Sequence, residues 1–218
     1  MASLPQRRDR AHARTREDII EAAARAFARD GYRATTMQAI AAEAGYTAPS
    51  LYSYFASKEK IFDGLVAHLT DQFLEVFDEL VPSDLTFAQR LEMLMRRLLE
   101  LADRRRDSFV VFFSLRANRD FLPPKKGEKP RVTGYAVLLK RMQTWMGKAA
   151  PPSLLARHSA YDLAQLLVGI SNAFFMTWLQ SGDRGDRLSR RTELIVDFFL
   201  NGASAGTKRA VSGVAPRA

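Results

Sequence analysis

Apolar residues recur at intervals of three and four along almost every segment of the chain, between the glycines and prolines that interrupt it. This spacing places them on one face of an α-helix, whereas a strand would alternate apolar and polar residues. No convincing hairpin pattern, such as Asn-Gly between two alternating runs, is present. The sequence therefore predicts an all-α fold of about nine helices.

The expected helix boundaries follow from capping residues. Thr15, Thr47 and Ser57 are predicted N-caps, and the second helix is predicted to start at Thr36 and to end at Gly45. The predicted helices cover residues 16–29, 36–45, 47–55, 57–80, 87–104, 107–117, 132–148, 153–181 and 189–201.

Composition narrows the possible chemistry. With 218 residues, of which 47% are hydrophobic, the chain has enough apolar material for one domain, or for a small domain joined to a larger one. It has no cysteine, which excludes disulfides, a thiolate nucleophile and Cys-ligated metals, and three histidines leave little room for another metal site. We expect no metal and no cofactor.

Charge and hydropathy favour a soluble protein with an anionic partner. Lys and Arg outnumber Asp and Glu by 33 to 24, giving a net charge of +9, although many basic proteins bind nothing in particular. The arginine-rich start lacks the apolar stretch of a secretory signal, with a transit peptide as the alternative. The apolar run 163–179 is shorter than the roughly 20 residues of a membrane span and includes polar residues. We interpret it as a buried helix of a cytoplasmic protein that has no membrane partner.

Residues 37–55 have the pattern of a helix-turn-helix. Small Ala41 allows two helices to cross closely, and Gly45 provides the left-handed turn. The residues expected on the inward side are Ile40, Ala44, Tyr46, Leu51 and Tyr54. Such a unit exposes its second helix for the DNA major groove. An ordinary helical hairpin is the alternative, because alanine-rich helices ending in glycine are common.

The longer stretch 16–59 favours the first interpretation. It reads R-x-x-I-I-x-A-A-x-x-x-F-x-x-x-G-Y-x-x-T-T-x-x-x-I-A-x-x-A-G-Y-T-x-x-x-L-Y-x-Y-F-x-S-K-E, and it resembles the DNA-binding domain of the TetR family of bacterial transcriptional regulators. The resemblance implies a helix-turn-helix domain joined through the fourth helix to a helical domain that binds an effector and dimerises. The expected organisation is a flexible basic arm at 1–14, the DNA-binding domain at 15–57, the ligand-binding and dimerisation domain at 58–201, and a flexible tail at 202–218.

Ten residues are candidates for DNA contact, of which the resemblance places eight on the recognition helix or at the start of the fourth helix, while Thr36 and Gln38 follow from their side-chain chemistry. They are Thr36, Gln38, Thr47, Ala48, Pro49, Ser50, Tyr52, Ser53, Tyr54 and Lys58. Hydroxyl groups and Lys58 suit phosphate oxygens, and Ala48 and Pro49 can touch thymine methyls. Tyr52 and Gln38 have both the reach and the polar tip to read base edges. Tyr54 equally fits the inward side.

The recognition helix has no arginine for guanine contacts, so a basic arm could contribute instead. Its arginines are Arg7, Arg8, Arg10 and Arg14, which could reach phosphates or a minor groove. A charged segment that only keeps the protein soluble is an equally good interpretation.

Bulky apolar residues of the larger domain suggest an effector site. On the helices that surround the pocket in the family lie Phe109, Phe112, Phe113, Arg116, Tyr135, Met142, Trp145, Met146, Asn172, Phe175, Met176 and Trp178. Each one alone is better explained as core, but together they predict an adaptable cavity for a small hydrophobic effector. Asn172, Gln143 or Arg116 would orient it, although Arg116 could equally form a surface ion pair.

The apolar helix over 163–179 also predicts a homodimer, because a helix without a polar face needs cover on both sides. The expected interface residues are Leu163, Leu167, Val168, Ile170, Phe174, Ile195, Phe198 and Phe199. A central helix in a monomer is the alternative. A twofold dimer would place two recognition helices on a palindromic double-stranded DNA operator.

The leading functional hypothesis is a transcriptional regulator, a repressor whose operator binding is relieved by the effector through the fourth helix. An effector-independent architectural DNA-binding protein is the alternative. An all-helical enzyme lacks support, because His12, His68 and His158 are scattered and no glycine-rich phosphate loop is present.

Overall fold

A computed structural model describes residues 4–78, 84–112, 134–182 and 185–204. Every regular element in these ranges is helical, which confirms the predicted all-α class. The helices are α1 Leu4–Asp30, α2 Met37–Ala44, α3 Ala48–Tyr52, α4 Lys58–Asp78, α5 Phe87–Arg104, α6 within 106–112, α7 Gly134–Ala149, α8 Pro152–Leu155, α9 Ala160–Gln180 and α10 Thr192–Ser204. A 3-10 turn, Leu188–Arg191, precedes α10.

The cap at Thr47 and the end of α2 at Gly45 are as predicted, whereas Thr36, predicted as the first helical residue, is the N-cap of α2. The Thr36 hydroxyl accepts a hydrogen bond from the Ala39 amide at 3.1 Å, and Gly45 ends α2 with a φ of 74°. The Thr47 hydroxyl accepts from the Ser50 amide at 3.3 Å. These side chains satisfy first-turn amides that have no partner within their own helix.

The predicted start of α1 is wrong. The helix begins at Leu4 rather than at residue 16, so Thr15 lies inside it and is not an N-cap. The physical reason is that the preceding segment is rich in alanine and arginine, both good helix formers, and Pro5 is tolerated in a first turn. Residues 4–14, expected as a flexible arm, are therefore helical, and residues 1–3 lie outside the described part of the chain.

The helix predicted over 153–181 is two helices. It breaks between α8 and α9, where the Ser159 hydroxyl accepts from the Asp162 amide at 3.0 Å and so caps α9. A serine followed by an acidic residue three positions later is a helix-start signal that outweighs the apolar period around it. The helix predicted over 189–201 begins as the 3-10 turn and continues as α10 to Ser204. Predicted segments at 79–80, 113–117 and 205–218 lie outside the described residues.

The chain forms two compact units. Unit 1 comprises Met1–Asp78 and Leu101–Leu138, and unit 2 comprises Glu79–Glu100 and Leu139–Ala218. Unit 1 thus contains the segment expected to bind DNA together with α4 and α6.

In unit 1, α1 packs against both α2 and α4. The buried side chains of unit 1 include Ile19, Ala23, Phe27, Ile40, Leu51, Phe55, Ile61 and Leu65. A Cβ atom added to Gly64 of α4 would lie 3.2 Å from the Phe55 ring and 3.3 Å from Ile20. Glycine at this position leaves room for these two side chains, because a Cβ atom here would require the Phe55 ring and the end of the Ile20 side chain to shift by a few tenths of an ångström.

In unit 2, α9 packs against α10. Leu163 and Leu167 of α9 are buried with Ile195 and Phe199 of α10. Among the described helices α9 alone is long and apolar enough to cross a membrane by length and composition. Its most apolar stretch is 28% buried, so α9 is only in part the buried helix that the sequence predicts. Length and composition alone are weak evidence for a membrane span.

Lys58 ties the start of α4 to the loop between α1 and α2. Its ammonium donates to the carbonyl of Tyr32 at 2.7 Å, to that of Thr35 at 2.8 Å and, more weakly, to that of Arg33 at 3.4 Å. The ammonium also lies 4.6 Å from the centre of the Tyr32 ring. Its three hydrogens therefore all have acceptors, and the loop carbonyls gain a charged partner.

We predict that Lys58→Ala lowers the free energy of unfolding by about 1–3 kcal/mol, since hydrogen bonds to a charged group are lost from a partly buried position. Lys60→Ala is the matched control two residues away, because Lys60 and its partner Asp63 are 66% and 52% exposed. The control should change stability by no more than about 0.5 kcal/mol. Urea unfolding followed by circular dichroism measures both variants, and equal stabilities for the two would contradict the role given to Lys58.

Candidate nucleic-acid interface

The helix-turn-helix is built around buried apolar residues on one side of α2 and α3. Ile40 and Ala41 of α2 and Leu51 of α3 are fully or almost fully buried. At the turn, the Tyr46 amide donates to the Ala41 carbonyl at 2.8 Å across the left-handed Gly45. The opposite side of α3 is left at the surface.

Most of the predicted DNA-contacting side chains lie on that surface. Exposed residues are Thr36, Gln38, Thr47, Pro49, Tyr52 and Ser53, and partly exposed residues are Ala48, Ser50, Tyr54 and Lys58. Tyr52 is 51% exposed, which is high for an aromatic side chain that could have packed inward. The arrangement presents an aromatic ring with a polar tip next to small residues, on a helix that the major groove is wide enough to admit.

The hydroxyl groups at this surface differ in whether their hydrogen is available for donation. Those of Thr36 and Thr47 accept hydrogen bonds as caps, and each keeps its own hydrogen for donation. Ser53 already donates to the Ser50 carbonyl at 2.6 Å. Phosphate oxygens accept hydrogen bonds, so the two threonines suit a phosphate better than Ser53 does.

Tyr54 faces α1. Its ring centre lies 4.7 Å from that of His12, and its carbonyl accepts from the Arg16 guanidinium at 2.7 Å. Arg16 also lies 4.2 Å from the centre of the Phe55 ring. Tyr54 therefore anchors the end of the motif to α1. Of its two interpretations from sequence, the inward-facing side chain is the one that matches its packing.

Lys58 was expected to contact phosphate, and that remains a prediction. In the structure its ammonium holds the loop carbonyls described above. A phosphate contact would have to replace one of these bonds. The sequence pattern did not signal this role, because the carbonyl acceptors belong to a loop more than twenty residues earlier.

Arg105 is another residue that sequence reasoning missed. Its guanidinium donates to the Gln72 side chain of α4 at 3.0 Å and forms an ion pair with Glu21 of α1. Close by in the chain, the Phe109 ring packs edge-on against Phe73 of α4 at 5.5 Å. Arg105 thus joins α1 and α4 at a point beyond the helix-turn-helix.

Two arginines of α1 are occupied by an acidic partner. Arg25 and Arg29 each lie 3.0 Å from the Glu43 carboxylate of α2. Hydrogen bonds from Arg25 and then Arg29 lower the pKa of Glu43, so this carboxylate stays ionised and offsets their charge.

The predicted effector residues divide between the two units. Phe109, Phe112 and Tyr135 belong to unit 1, and Phe113 and Arg116 lie outside the described residues. The remaining seven lie in unit 2, and they are Met142, Trp145, Met146, Asn172, Phe175, Met176 and Trp178. Gln143, suggested as an orienting group, also lies in unit 2.

Several of these residues have core partners. Met142, Met146 and Trp178 are buried, and the Trp178 indole donates to the Asp186 carbonyl at 2.9 Å. The Trp145 ring centre lies 6.0 Å from that of Phe87. Trp145, Asn172, Phe175 and Met176 are partly exposed.

The predicted dimer interface needs correction. Leu163, Leu167, Val168, Ile195 and Phe199 are buried within unit 2 itself, so a partner cannot reach their side chains. Ile170 and Phe174 are partly exposed, and Phe198 is exposed. The exposed apolar side chains on α9 and α10 are Tyr161, Leu166, Leu194 and Phe198. The error arose because both helices are apolar on two sides, and sequence alone does not say which side meets the subunit's own core.

Comparison with known proteins connects these features to a family. Residues 19–65 match the family model described as bacterial regulatory proteins, tetR family. The HTH-type transcriptional repressor KstR2 of Mycobacterium tuberculosis is 34% identical over 97 residues, which cover 44% of this chain and 48% of that protein. The chain thus spans about half the length of the relatives that it matches at this level.

Two further likenesses extend over most of the chain. The fatty acid metabolism regulator protein of Bacillus subtilis is 26% identical over 190 residues, or 84% of this chain and 93% of that protein. The crystal structure of the transcriptional regulator FadR from Bacillus subtilis in complex with stearoyl-CoA has a TM-score of 0.60 at 18% identity, covering 85% of this chain and 98% of that one. The segment that matches the tetR family model is thus the helix-turn-helix described above, and the helical fold of most of the chain is similar to that of solved regulators.

Proposed function

We propose that this protein is a homodimeric, cytoplasmic transcriptional repressor without enzymatic activity, released from a palindromic operator by a small hydrophobic effector. The observation that carries the proposal is the exposed surface of α3, where Tyr52 stands outward from a helix-turn-helix whose other side is buried. The family match over 19–65 covers this motif. An architectural DNA-binding protein would use the same surface without an effector.

In this proposal α3 enters the major groove, which is about 12 Å wide and admits one helix. Tyr52 and Gln38 read base edges, because both are exposed and end in hydrogen-bonding groups. Ala48 and Pro49 contact thymine methyls, and the threonine caps donate to phosphates. Tyr54 and Lys58 contribute mainly by holding the motif in place.

The dimer forms through the exposed sides of α9 and α10. Leu194 and Phe198 lie one turn apart on α10, and Tyr161 and Leu166 lie on α9. Gly169 and Ala173, also exposed on α9, allow a partner helix to approach closely. Four large apolar side chains at the surface of one unit are what a twofold interface would cover.

The effector is hydrophobic, because the aromatic and methionine side chains of the effector set greatly outnumber its polar groups. The likenesses to Bacillus subtilis regulators point the same way, because the relative is named for fatty acid metabolism and the similar crystal structure is a complex with stearoyl-CoA. Effector binding would favour a conformation in which α4 no longer holds the recognition helices at operator spacing. A ligand can do this only by binding the two conformations unequally.

The DNA-reading role predicts the effect of Tyr52→Phe, which keeps the ring and removes only the hydroxyl. Binding to a duplex selected by the wild-type protein should weaken by about 1 kcal/mol, or roughly fivefold, while binding to random duplex should not change. Fluorescence anisotropy on both duplexes measures this difference. An equal loss on both duplexes would show that Tyr52 does not read sequence.

The dimer proposal predicts that Phe198→Glu gives folded monomers. The side chain is 64% exposed in the single subunit, so folding should tolerate the charge, whereas an unpaired carboxylate buried in an interface costs several kcal/mol. Phe198→Leu is the control and should remain dimeric. Sedimentation at micromolar concentration measures the oligomeric state of both variants. A dimeric Phe198→Glu variant would contradict this interface.

The effector proposal predicts that a hydrophobic compound raises the melting temperature and releases DNA. A compound at 100 times its Kd stabilises the native state by about 2.7 kcal/mol. A thermal-shift screen should include stearoyl-CoA, and each stabilising compound is then tested for displacement of the selected duplex. Stabilisation without displacement by every such compound would favour the architectural alternative.

A further inference from the structure

Arg105 lies outside the helix-turn-helix but contacts two of the helices that support it. It lies between α5 and α6, well beyond residue 65, where the match to the family model ends. Its Nε atom donates to the Gln72 side-chain oxygen of α4 at 3.0 Å, and a terminal nitrogen of the same guanidinium forms an ion pair with Glu21 of α1. Because the guanidinium is a rigid fork with several donors, one side chain can join both helices.

This link is partly shielded from water. The Arg105 side chain is 25% exposed and the Glu21 side chain is 40% exposed, and hydrogen bonds from a charged donor are stronger than neutral ones. His68 lies one turn before Gln72 on the same side of α4. Its Nε2 atom adds no polar contact there, since it is buried without a hydrogen-bond partner among the described residues. Arg105 therefore supplies the polar contacts that tie this turn of α4 to α1.

Two separate attachments fix the direction of α4 relative to α1. The first is Lys58 at the start of α4, which binds carbonyls of the loop that follows α1. The second is Gln72, about 21 Å farther along the helix at 1.5 Å per residue. Between them, Gly64 lies against Phe55 and Ile20. A helix attached only at its start could turn about this contact, whereas a second attachment sets its angle.

We propose that Arg105 is a positioning residue for DNA recognition, which sets the angle between α1 and α4 and thereby the placement of α3 on the operator. The inference rests on the proposed function. Because α4 leads the chain from the helix-turn-helix toward the proposed dimer helices, its angle to α1 determines the spacing of the two recognition helices. Two half-sites can be read at once only at a fixed spacing, whereas binding to random duplex depends mainly on phosphate contacts. Arg105 thus contributes to specificity without touching DNA.

The test reverses the two charges in the full chain. Arg105→Glu and Glu21→Arg each bring like charges together, whereas the double variant restores an ion pair at the wild-type net charge. In the double variant the Gln72 amide can still donate to the new carboxylate. Arg157→Glu is the charge-matched control for Arg105→Glu, since Arg157 is exposed in unit 2.

The quantity to measure is the ratio of two affinities, one for a duplex selected by the wild-type protein and one for random duplex. Fluorescence anisotropy gives both. A loss of folded protein lowers both affinities alike, and so does a change in general attraction to DNA. The ratio therefore reports the positioning of the recognition helices, and a merely structural role for Arg105 would not change it.

We expect each single reversal to lower the ratio by roughly tenfold, as for the loss of a hydrogen bond to a charged group. The double variant should return to within about threefold of the wild-type ratio, because the two substitutions are coupled. Arg157→Glu should keep the wild-type ratio. Circular dichroism verifies that each variant retains its helix content.

Arg105→Gln covers the case in which a reversed charge prevents folding, because it removes the charge and keeps a good helix former. It should also lower the ratio. The inference is overturned if Arg105→Gln keeps the wild-type ratio, if Arg157→Glu lowers the ratio as much as Arg105→Glu, or if a folded double variant stays as low as the single reversals.

The wild-type protein separates this failure from that of the proposed function. If it binds the selected duplex no better than random duplex, the proposed function fails, and this inference fails with it. If the wild-type preference is present but does not depend on Arg105, only this inference fails.

Discussion

The recognition helix is too short to hold itself in place. It has five residues, Ala48–Tyr52, and a helix of that length is unstable in isolation. Leu51 is the one buried residue of this helix, and Tyr52 is 51% exposed. In the proposed function, the position of the DNA-reading groups on α3 therefore depends on contacts from the surrounding helices. This constraint accounts for the contacts that hold the helix-turn-helix in unit 1.

The supports come from all sides of the motif. Thr47 and Gly45 fix the two ends of the turn, Arg16 and His12 hold Tyr54, and Lys58 fastens the next helix to the loop before α2. Arg105 then joins α1 and α4 farther from the DNA surface. Lys58 thus connects the start of α4 to the loop before α2, and Gln72 connects a later turn of α4 to α1 through Arg105. In the proposed function, an effector that shifts α4 would act on DNA binding through these contacts.

The parts predictable from sequence were those set by neighbouring residues. The cap at Thr47 and the helix end at Gly45 need only local chemistry, and the period of three and four identified the helical class. The start of α1 was missed because helix propensity outweighed the cap expected at Thr15. The role of Lys58 and the exposed side of α9 depend on contacts with residues distant in the chain. The pattern of neighbouring residues does not reveal such contacts. The effector residues span two units, and their individual roles are still predictions.

The central claim is that two copies of α3, each held by the neighbouring helices of its own subunit, read a symmetric DNA site. Selection of bound duplexes from a random-sequence library with the full-length protein tests it most directly. The account predicts enrichment of an inverted repeat whose half-site centres are about 10 base pairs, or a multiple of that, apart. Enrichment of no sequence, or of a single asymmetric motif, would contradict it.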